Sequence, residues 1–282
     1  MTVGSLFPLD PKSLLARHGL TPKRSFGQNF LADEQLARRI AELAVPEPRG
    51  AVVEIGAGLG ALTRPLLERA EKVLAIERDR DLCRALRQDL SCDGARFQLL
   101  EADAKRVDLA PFLATAPRPR AITGNLPYQI TGPLLKMACG AADKVERVAV
   151  LVQREVADRV TASPGTSQYG ALSVFLQARF EAKRPLVIRK GAFYPQPSVD
   201  SAVVVLVPRA TALDEETPEF QQLVLRAFAQ RRKKLRNAWR GVLGIDSDRL
   251  AEAACRANID LDQRGESLSP VDFARMKAEV TR

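Results

Sequence analysis

The stretch Val52-Val53-Glu54-Ile55-Gly56-Ala57-Gly58-Leu59-Gly60 limits the fold more than any other part of this 282-residue chain. A short apolar run ends in three alternate glycines, and a helical pattern starts at Leu62 to Leu67. Strand, glycine loop, helix is the mononucleotide-binding unit of open α/β sheets, in which the glycines let the main chain come close to a ligand. Dinucleotide enzymes share such a loop. Two details set this one apart. The spacing is Gly-x-Gly-x-Gly, not Gly-x-Gly-x-x-Gly, and Glu54 lies inside the strand, where a carboxylate is costly unless partnered.

The same grammar repeats along the chain. Val73 to Ile76 reads as a second strand and ends in Glu77, about twenty residues past the first glycine, where a carboxylate can accept from both hydroxyls of a ribose. The alternative for Glu77 is a surface pair with Arg78 or Arg80. Phe97 to Leu100 is a third strand, and Asp103 follows it, suited either to the amino group of a nucleoside cofactor or to a helix cap. Ala121-Ile122 leads into Gly124-Asn125-Leu126-Pro127-Tyr128, and Thr131 to Ala141 continues as a helix. Val148 to Val152 is a fifth strand. Strands alternating with helices predict a largely parallel sheet, whose ligands bind at the carboxyl ends of the strands. Leu186 to Ile188 and Ala202 to Val207 are β-rich and are expected as an antiparallel pair closing the sheet.

Asn125 to Tyr128 have the residue types needed to hold a planar, amino-bearing ring. Asn125 offers a neutral carbonyl oxygen. Pro127 pushes Leu126 toward an extended conformation, which presents the Leu126 carbonyl as a second acceptor. Tyr128 supplies a flat face on which a base stacks. The exocyclic amine of adenine is a poor nucleophile because its lone pair is delocalised into the ring. Two acceptors on its hydrogens favour a pyramidal nitrogen and stabilise the positive charge that develops during attack, without a strong base. Taken with Gly56, Glu77 and Asp103, this order of strand ends matches a methyltransferase using S-adenosylmethionine. The same four residues also suit a plain strand-to-turn exit.

Composition removes several other chemistries. There is one histidine, His18, which excludes multi-histidine metal sites and leaves little room for Ser-His or Cys-His catalysis. Cys83, Cys92, Cys139 and Cys255 form no Cys-x-x-Cys pair, so neither a metal site nor a disulfide framework is expected. No apolar run reaches the length of a membrane span, and the first ten residues lack the pattern of a secretory signal. The expectation is a cytoplasmic protein with no membrane partner. The formal net charge of +9 suits a polyanionic partner, nucleic acid being the commonest.

Three further segments bear on function. Lys23-Arg24-Ser25-Phe26-Gly27-Gln28-Asn29-Phe30-Leu31 has no regular period and reads as a loop that closes over something. Phe193-Tyr194-Pro195-Gln196-Pro197-Ser198-Val199-Asp200 is stiffened by two prolines. Phe193 and Tyr194 stand there either as a clamp on the far face of a base or as packing beneath a loop. Past Pro208 the composition shifts, and Phe220 to Val242 has a helical period. Its polar positions carry Arg226, Arg231, Arg232, Lys233, Lys234, Arg236 and Arg240 with no intervening acid, which favours contact with phosphates over a simple solvated face.

These stretches together resemble the family of small-subunit ribosomal RNA adenine N6,N6-dimethyltransferases. The residues in common are Phe26 to Leu31, Glu54 to Gly60, Asn125 to Tyr128, Gln153-Arg154-Glu155-Val156-Ala157, Phe193 to Val203 and Arg231-Arg232-Lys233. Ala57 stands where the family usually has proline. The resemblance implies an α/β, Rossmann-like methyltransferase domain with a mostly parallel seven-stranded sheet over residues 1–209, and a small all-helical RNA-binding domain over 210–282. It implies S-adenosylmethionine held by Asn29, Leu31, Gly56, Gly58, Glu77, Asp103 and Asn125, with S-adenosylhomocysteine as product. Asn125, Leu126, Pro127 and Tyr128 would form the catalytic motif. Tyr128, Phe193, Arg231, Arg232, Lys233 and Lys234 would meet the substrate. The implied substrate is two neighbouring adenines near the 3′ end of small-subunit RNA, each methylated twice, with a second role in late small-subunit assembly. A monomer is expected. Three rivals stay open: a sister enzyme acting on one adenine of large-subunit RNA, an assembly factor whose methylation is incidental, and a nicotinamide dehydrogenase.

Overall fold

The glycine-ended strand Ala51–Ile55 lies in the interior of the sheet, paired on both sides, which explains its apolar character. A computed structural model describes residues 10–282 apart from 128–129, 215–216 and the side chains of 92 and 93. In chain order the strands are β1 (Phe30–Leu31), β2 (Ala51–Ile55), β3 (Lys72–Glu77), β4 (Phe97–Glu101), β5 (Arg120–Asn125), β6 (Arg147–Gln153), β7 (Phe180–Ile188), β8 (Phe193–Tyr194) and β9 (Ser201–Pro208). Seven of them form one sheet in the order β4-β3-β2-β5-β6-β9-β7, while β1 and β8 pair on their own. The pairings among β4, β3, β2, β5 and β6 are parallel, and β9 runs antiparallel to β6. Parallel strands covered on both faces are apolar along their length, and every residue of β2 is buried.

The chain steps outward from β2 to β3 and β4, then returns to β5 on the other side of β2. That reversal opens a crevice between the carboxyl ends of β2 and β5. Gly124 makes the two strands fit there. Its φ is +153°, and a Cβ on it would stand 2.2 Å from the Ile55 carbonyl oxygen. The helices α1 (Pro11–Arg17), α2 (Glu34–Ala44), α3 (Thr63–Arg69) and α4 (Arg80–Asp89) belong to the same unit. Asp33 caps α2 by accepting from the Leu36 N–H at 3.0 Å, and α2 buries Ala37, Ile40, Ala41 and Ala44 at helical spacing. His18 ends α1 and lies 3.3 Å from an Asp89 oxygen at the close of α4.

Contacts divide the chain into two units, Met1–Ala157 with Lys183–Val207, and Asp158–Ala182 with Pro208–Arg282. The helical unit thus takes in residues 158–182, which the sequence reading assigned to the first domain, as well as the segment beyond Pro208. Its core gathers Phe220, Leu223 and Val224 with Trp239 and Phe273. The Trp239 Nε1–H donates to the Leu223 carbonyl at 2.8 Å.

The continuous helix expected from Phe220 to Val242 is instead two pieces, Pro218–Ala229 and Leu235–Ala238. The N–H groups of Leu235 and Arg236 donate to the Gln263 and Leu261 carbonyls, so a helix cannot run through them. The basic run from Arg231 to Lys234 is therefore a turn, not one face of a helix. Among the described residues, no helix is long and apolar enough to cross a membrane.

Glu54 carries the main electrostatic tension of the sheet. It is 1% exposed within β2, and its Oε2 has no hydrogen-bond partner among the described residues. Burial pushes its carboxyl up to about 8, the Thr63 hydroxyl opposing and the charge of Glu77 adding to the rise. The folded protein therefore keeps a proton that the unfolded chain releases above its ordinary value of 4.5. Stability should fall as pH climbs from about 4.5 to about 8, by at most about 1.4 kcal/mol per pH unit, and level off above. Glu54→Gln keeps the shape and removes the titration. Thermal unfolding across pH 5 to 8 should be flatter for this variant, and it should melt above the wild type at pH 8. An unchanged pH slope would show that Glu54 is not the source.

Candidate active site

A cleft of about 930 Å³, open mouth included, lies at the carboxyl ends of β2, β3, β4 and β5. Its wall includes Gly56 and Gly58 after β2, Glu77 at the end of β3, Asp103 past β4, and Asn125, Leu126 and Pro127 at the end of β5. Ser25 to Phe30 close it from the side of the N-terminal segment. Four strand ends picked out in the sequence thus meet in one place, and so does the aperiodic loop before β1.

The glycine loop is shaped by positive φ values, +76° at Gly56 and +60° at Gly58. A Cβ at Gly58 would press on the Phe30 ring at 3.3 Å, and one at Gly56 would touch the Asn125 carbonyl oxygen at 3.4 Å. Glycine is needed there both for backbone shape and for close approach.

Glu77 is aimed by main chain. Its Oε1 accepts from the N–H groups of Arg78 and Asp79, both at 2.8 Å, and its Oε2 accepts from Gly58 N–H at 2.9 Å. Burial raises its pKa, and the three N–H donors oppose that rise. The pairing with surface arginines that the sequence left open is not what holds Glu77. Arg80 turns to Glu101 at 2.9 Å, and the Arg78 guanidinium lies over the Phe26 ring, 5.0 Å from its centre.

Asp103 is a cap, and it also stands at the cleft. It caps the short turn Ala104–Arg106 by accepting from Lys105 N–H at 3.1 Å.

Asn125 is held by a long-range contact. Its Nδ2 donates to the Asn29 carbonyl at 2.8 Å, across 96 residues of sequence. That contact commits one N–H of the amide, and Asn125 lines the cleft. Leu126 buries its side chain and donates its N–H to Leu151 O at 3.0 Å. Tyr128, the expected stacking surface, lies outside the described residues.

Two expected site residues stand elsewhere. Phe193 does not face a substrate. It pairs with Leu31 in the β1–β8 ribbon and is buried in the core, 4% exposed, so the reading of this aromatic as packing replaces the clamp. Leu31 is buried beside it, and its side chain does not line the cleft. In the helical unit, Arg231 reaches the Ser167 and Tyr169 carbonyls at 3.0 and 3.1 Å and Glu266 at 3.3 Å, so it fastens a loop. Lys234 pairs with Asp262 at 3.2 Å. Arg232 and Lys233 are exposed, with no ion pair among the described residues. Residues that the sequence did not single out also line the cleft, notably Ile76, Leu82 and Ala102, apolar positions whose roles no local pattern reveals.

The comparisons with known proteins agree with this arrangement. A family model described as ribosomal RNA adenine dimethylase matches residues 19–280. The chain belongs to that family. A ribosomal RNA small subunit methyltransferase A of Anaeromyxobacter sp. (strain K) is 43% identical over 276 residues, covering 95% of this chain and 96% of that protein. One from Geobacter metallireducens is 38% identical over 264 residues, covering 92% and 95%. Among solved structures, a dimethyladenosine transferase from Plasmodium falciparum shares the fold at a TM-score of 0.73 and 22% identity, covering 88% of this chain and 95% of that one. The 23S rRNA methyltransferase ErmE aligns at a TM-score of 0.70 and 27% identity, covering 90% and 100%. The Rossmann-like methyltransferase fold, mostly parallel and seven-stranded, is thus the one expected.

The cleft fits an adenosyl cofactor on its own geometry. It offers a buried carboxylate, a glycine loop held at positive φ, and apolar walls beside a second carboxylate. Glu77→Gln keeps the size of the side chain and removes its charge. It should weaken S-adenosylhomocysteine binding at least about tenfold, roughly 1.4 kcal/mol, in isothermal titration. The wild type should show no heat with NAD. Equal affinity in the variant would remove Glu77 from the cofactor site.

Proposed function

We propose that the chain transfers methyl groups from S-adenosylmethionine to the exocyclic N6 of two adjacent adenines near the 3′ end of small-subunit ribosomal RNA. Each adenine becomes N6,N6-dimethyladenosine. The observation that carries this reading is the Asn125 amide, whose NH2 is committed to Asn29 O so that its oxygen meets the incoming amine.

In this reading the bound cofactor supplies an electrophilic methyl group on a sulfonium. Glu77 takes the ribose hydroxyls, Asp103 the adenine amino group, and Gly56 and Gly58 give main-chain approach. Asn29 and Leu31 take part through the loop that covers the cleft, Leu31 by its main chain. Asn125 Oδ1 and the Leu126 carbonyl accept the two hydrogens of the target amine, which steers its lone pair toward the methyl and stabilises the charge that grows on nitrogen. In each transfer the carbon–sulfur bond would break as the carbon–nitrogen bond forms, S-adenosylhomocysteine would leave and one N–H proton would pass to solvent. In the second transfer the one N–H left would need only one of the two acceptors. Tyr128 stacks the flipped base. Arg232 and Lys233, exposed in the helical unit, contact RNA phosphates.

The fold alone does not choose between small- and large-subunit RNA, since ErmE shares it. The whole-length similarity to small-subunit enzymes favours the former. A role in late subunit assembly and action as a monomer in the cytoplasm go with this reading.

Labelled methyl transfer to unmethylated small and large subunits tests it. Label should enter small-subunit RNA as N6,N6-dimethyladenosine at two adjacent positions. Asn125→Ala should lower kcat at least about a hundredfold while leaving RNA affinity nearly unchanged. Incorporation into large subunits only would overturn the substrate, and full activity of the alanine variant would overturn the role of Asn125.

A further inference from the structure

Two residues past Glu77, Asp79 is 3% exposed. Its carboxylate takes donors from three directions. Lys23 Nζ reaches Oδ1 at 2.6 Å, Gln28 Nε2 reaches Oδ2 at 2.8 Å, and Asp81 N–H reaches Oδ1 at 3.1 Å. The last of these is the cap of α4. A cap needs one oxygen and no burial. Asp33 and Asp103 cap their own helices from more open positions. The second oxygen and the burial of Asp79 therefore serve something else.

What they serve is the segment from Lys23 to Leu31. Gln28 closes a ring with Asp79 and Lys23, because its Oε1 accepts from Lys23 N–H at 2.7 Å while its NH2 binds Asp79. Lys23 also reaches Asp81 at 2.7 Å, and the two carboxylates, Asp79 foremost, hold its ammonium above the usual lysine range. The far end of the segment is fixed by the pairing of β1 with β8 and by Ala32 N–H on Ala192 O at 2.8 Å. Between the two anchors stands Asn29, whose carbonyl accepts from Asn125. On its other side, Asp79 N–H donates to Glu77 Oε1.

We propose that Asp79 is a positioning residue for methyl transfer: by gripping Lys23 and Gln28 it holds the 23–31 segment so that the Asn29 carbonyl orients the Asn125 amide, in the same turn that sets Glu77. The proposal rests on the reading of the cleft given above. It makes cofactor binding and amide orientation one mechanical unit, with a buried carboxylate at the joint.

The test is a rescue. In Asp79→Asn the new NH2 faces the Gln28 NH2, two donors without an acceptor. The double variant combines Asp79→Asn with Gln28→Glu. There the carboxylate introduced at position 28 accepts from both the new NH2 at position 79 and Lys23 N–H. The amide oxygen at position 79 stays available to Lys23 Nζ and Asp81 N–H. The single variant should lower kcat/KM for S-adenosylmethionine about tenfold or more, raising KM and lowering kcat together. Trypsin should cut after Lys23 or Arg24 about tenfold faster than in the wild type, with or without S-adenosylhomocysteine. The double variant should return to within about threefold of the wild type in both assays. Wild-type behaviour of the single variant, or a folded double variant as impaired as the single one, would overturn the proposal. If Asp79→Asn does not fold, Gln28→Leu takes its place, and unchanged kcat/KM and cleavage there would likewise overturn it. Failure of the wild type to bind S-adenosylhomocysteine would instead sink the cofactor reading, and the cleavage comparison without ligand would still judge the grip of Asp79.

Discussion

The hydrogen bond from Asn125 Nδ2 to the Asn29 carbonyl ties the proposed chemistry of this protein to its architecture. An asparagine amide can present either end to a ligand, and the two ends differ in kind, one donating and one accepting. Only the accepting end helps an amine become a nucleophile. In the proposed mechanism a carbonyl from a distant loop fixes which end points inward before any substrate arrives. That is preorganisation in its simplest form: a dipole held in place so that little reorganisation is left for the moment of reaction.

The rest of the structure brings those two residues together. The order in which strands leave β2 puts β5 beside it, and Gly124 allows the contact to be close enough for the ends of both strands to share one crevice. The N-terminal segment is pinned across the crevice at both ends, by Asp79 upstream and by the β1–β8 ribbon downstream. The site tolerates costly features. Glu54 lies buried without a full set of partners, and Glu77 is held as a buried carboxylate by three backbone N–H groups. Both sit next to the glycine loop, and of the two only Glu77 lines the cleft.

Much of the sheet could be read from the chain because each central strand is an apolar run that ends abruptly in a polar or glycine residue. Gly56, Glu77, Asp103 and Asn125 are marked by that change of character, and all four line the cleft. What the sequence hid depends on contacts across long separations. β1 and β8 are two residues each, too short for any period, so Phe193 looked like a clamp when it is a core residue paired with Leu31. The basic run looked free of acids, yet Asp262 and Glu266 reach Lys234 and Arg231 from about thirty residues downstream. Two carbonyls from that same later segment also break the helix on which the run was expected. Asp79 carried no signal in the sequence, since the partners that give it a second task lie more than fifty residues upstream.

The claim that a fixed amide orientation drives transfer is tested most directly by Asn125→Asp, assayed for methyl transfer to small-subunit RNA beside binding of S-adenosylhomocysteine. Aspartate has the same shape but no NH2, so an oxygen would face the Asn29 carbonyl and the orienting contact would be lost. Binding retained within a few-fold and transfer lowered at least about a hundredfold is the result this account predicts. Transfer at the wild-type rate would contradict it.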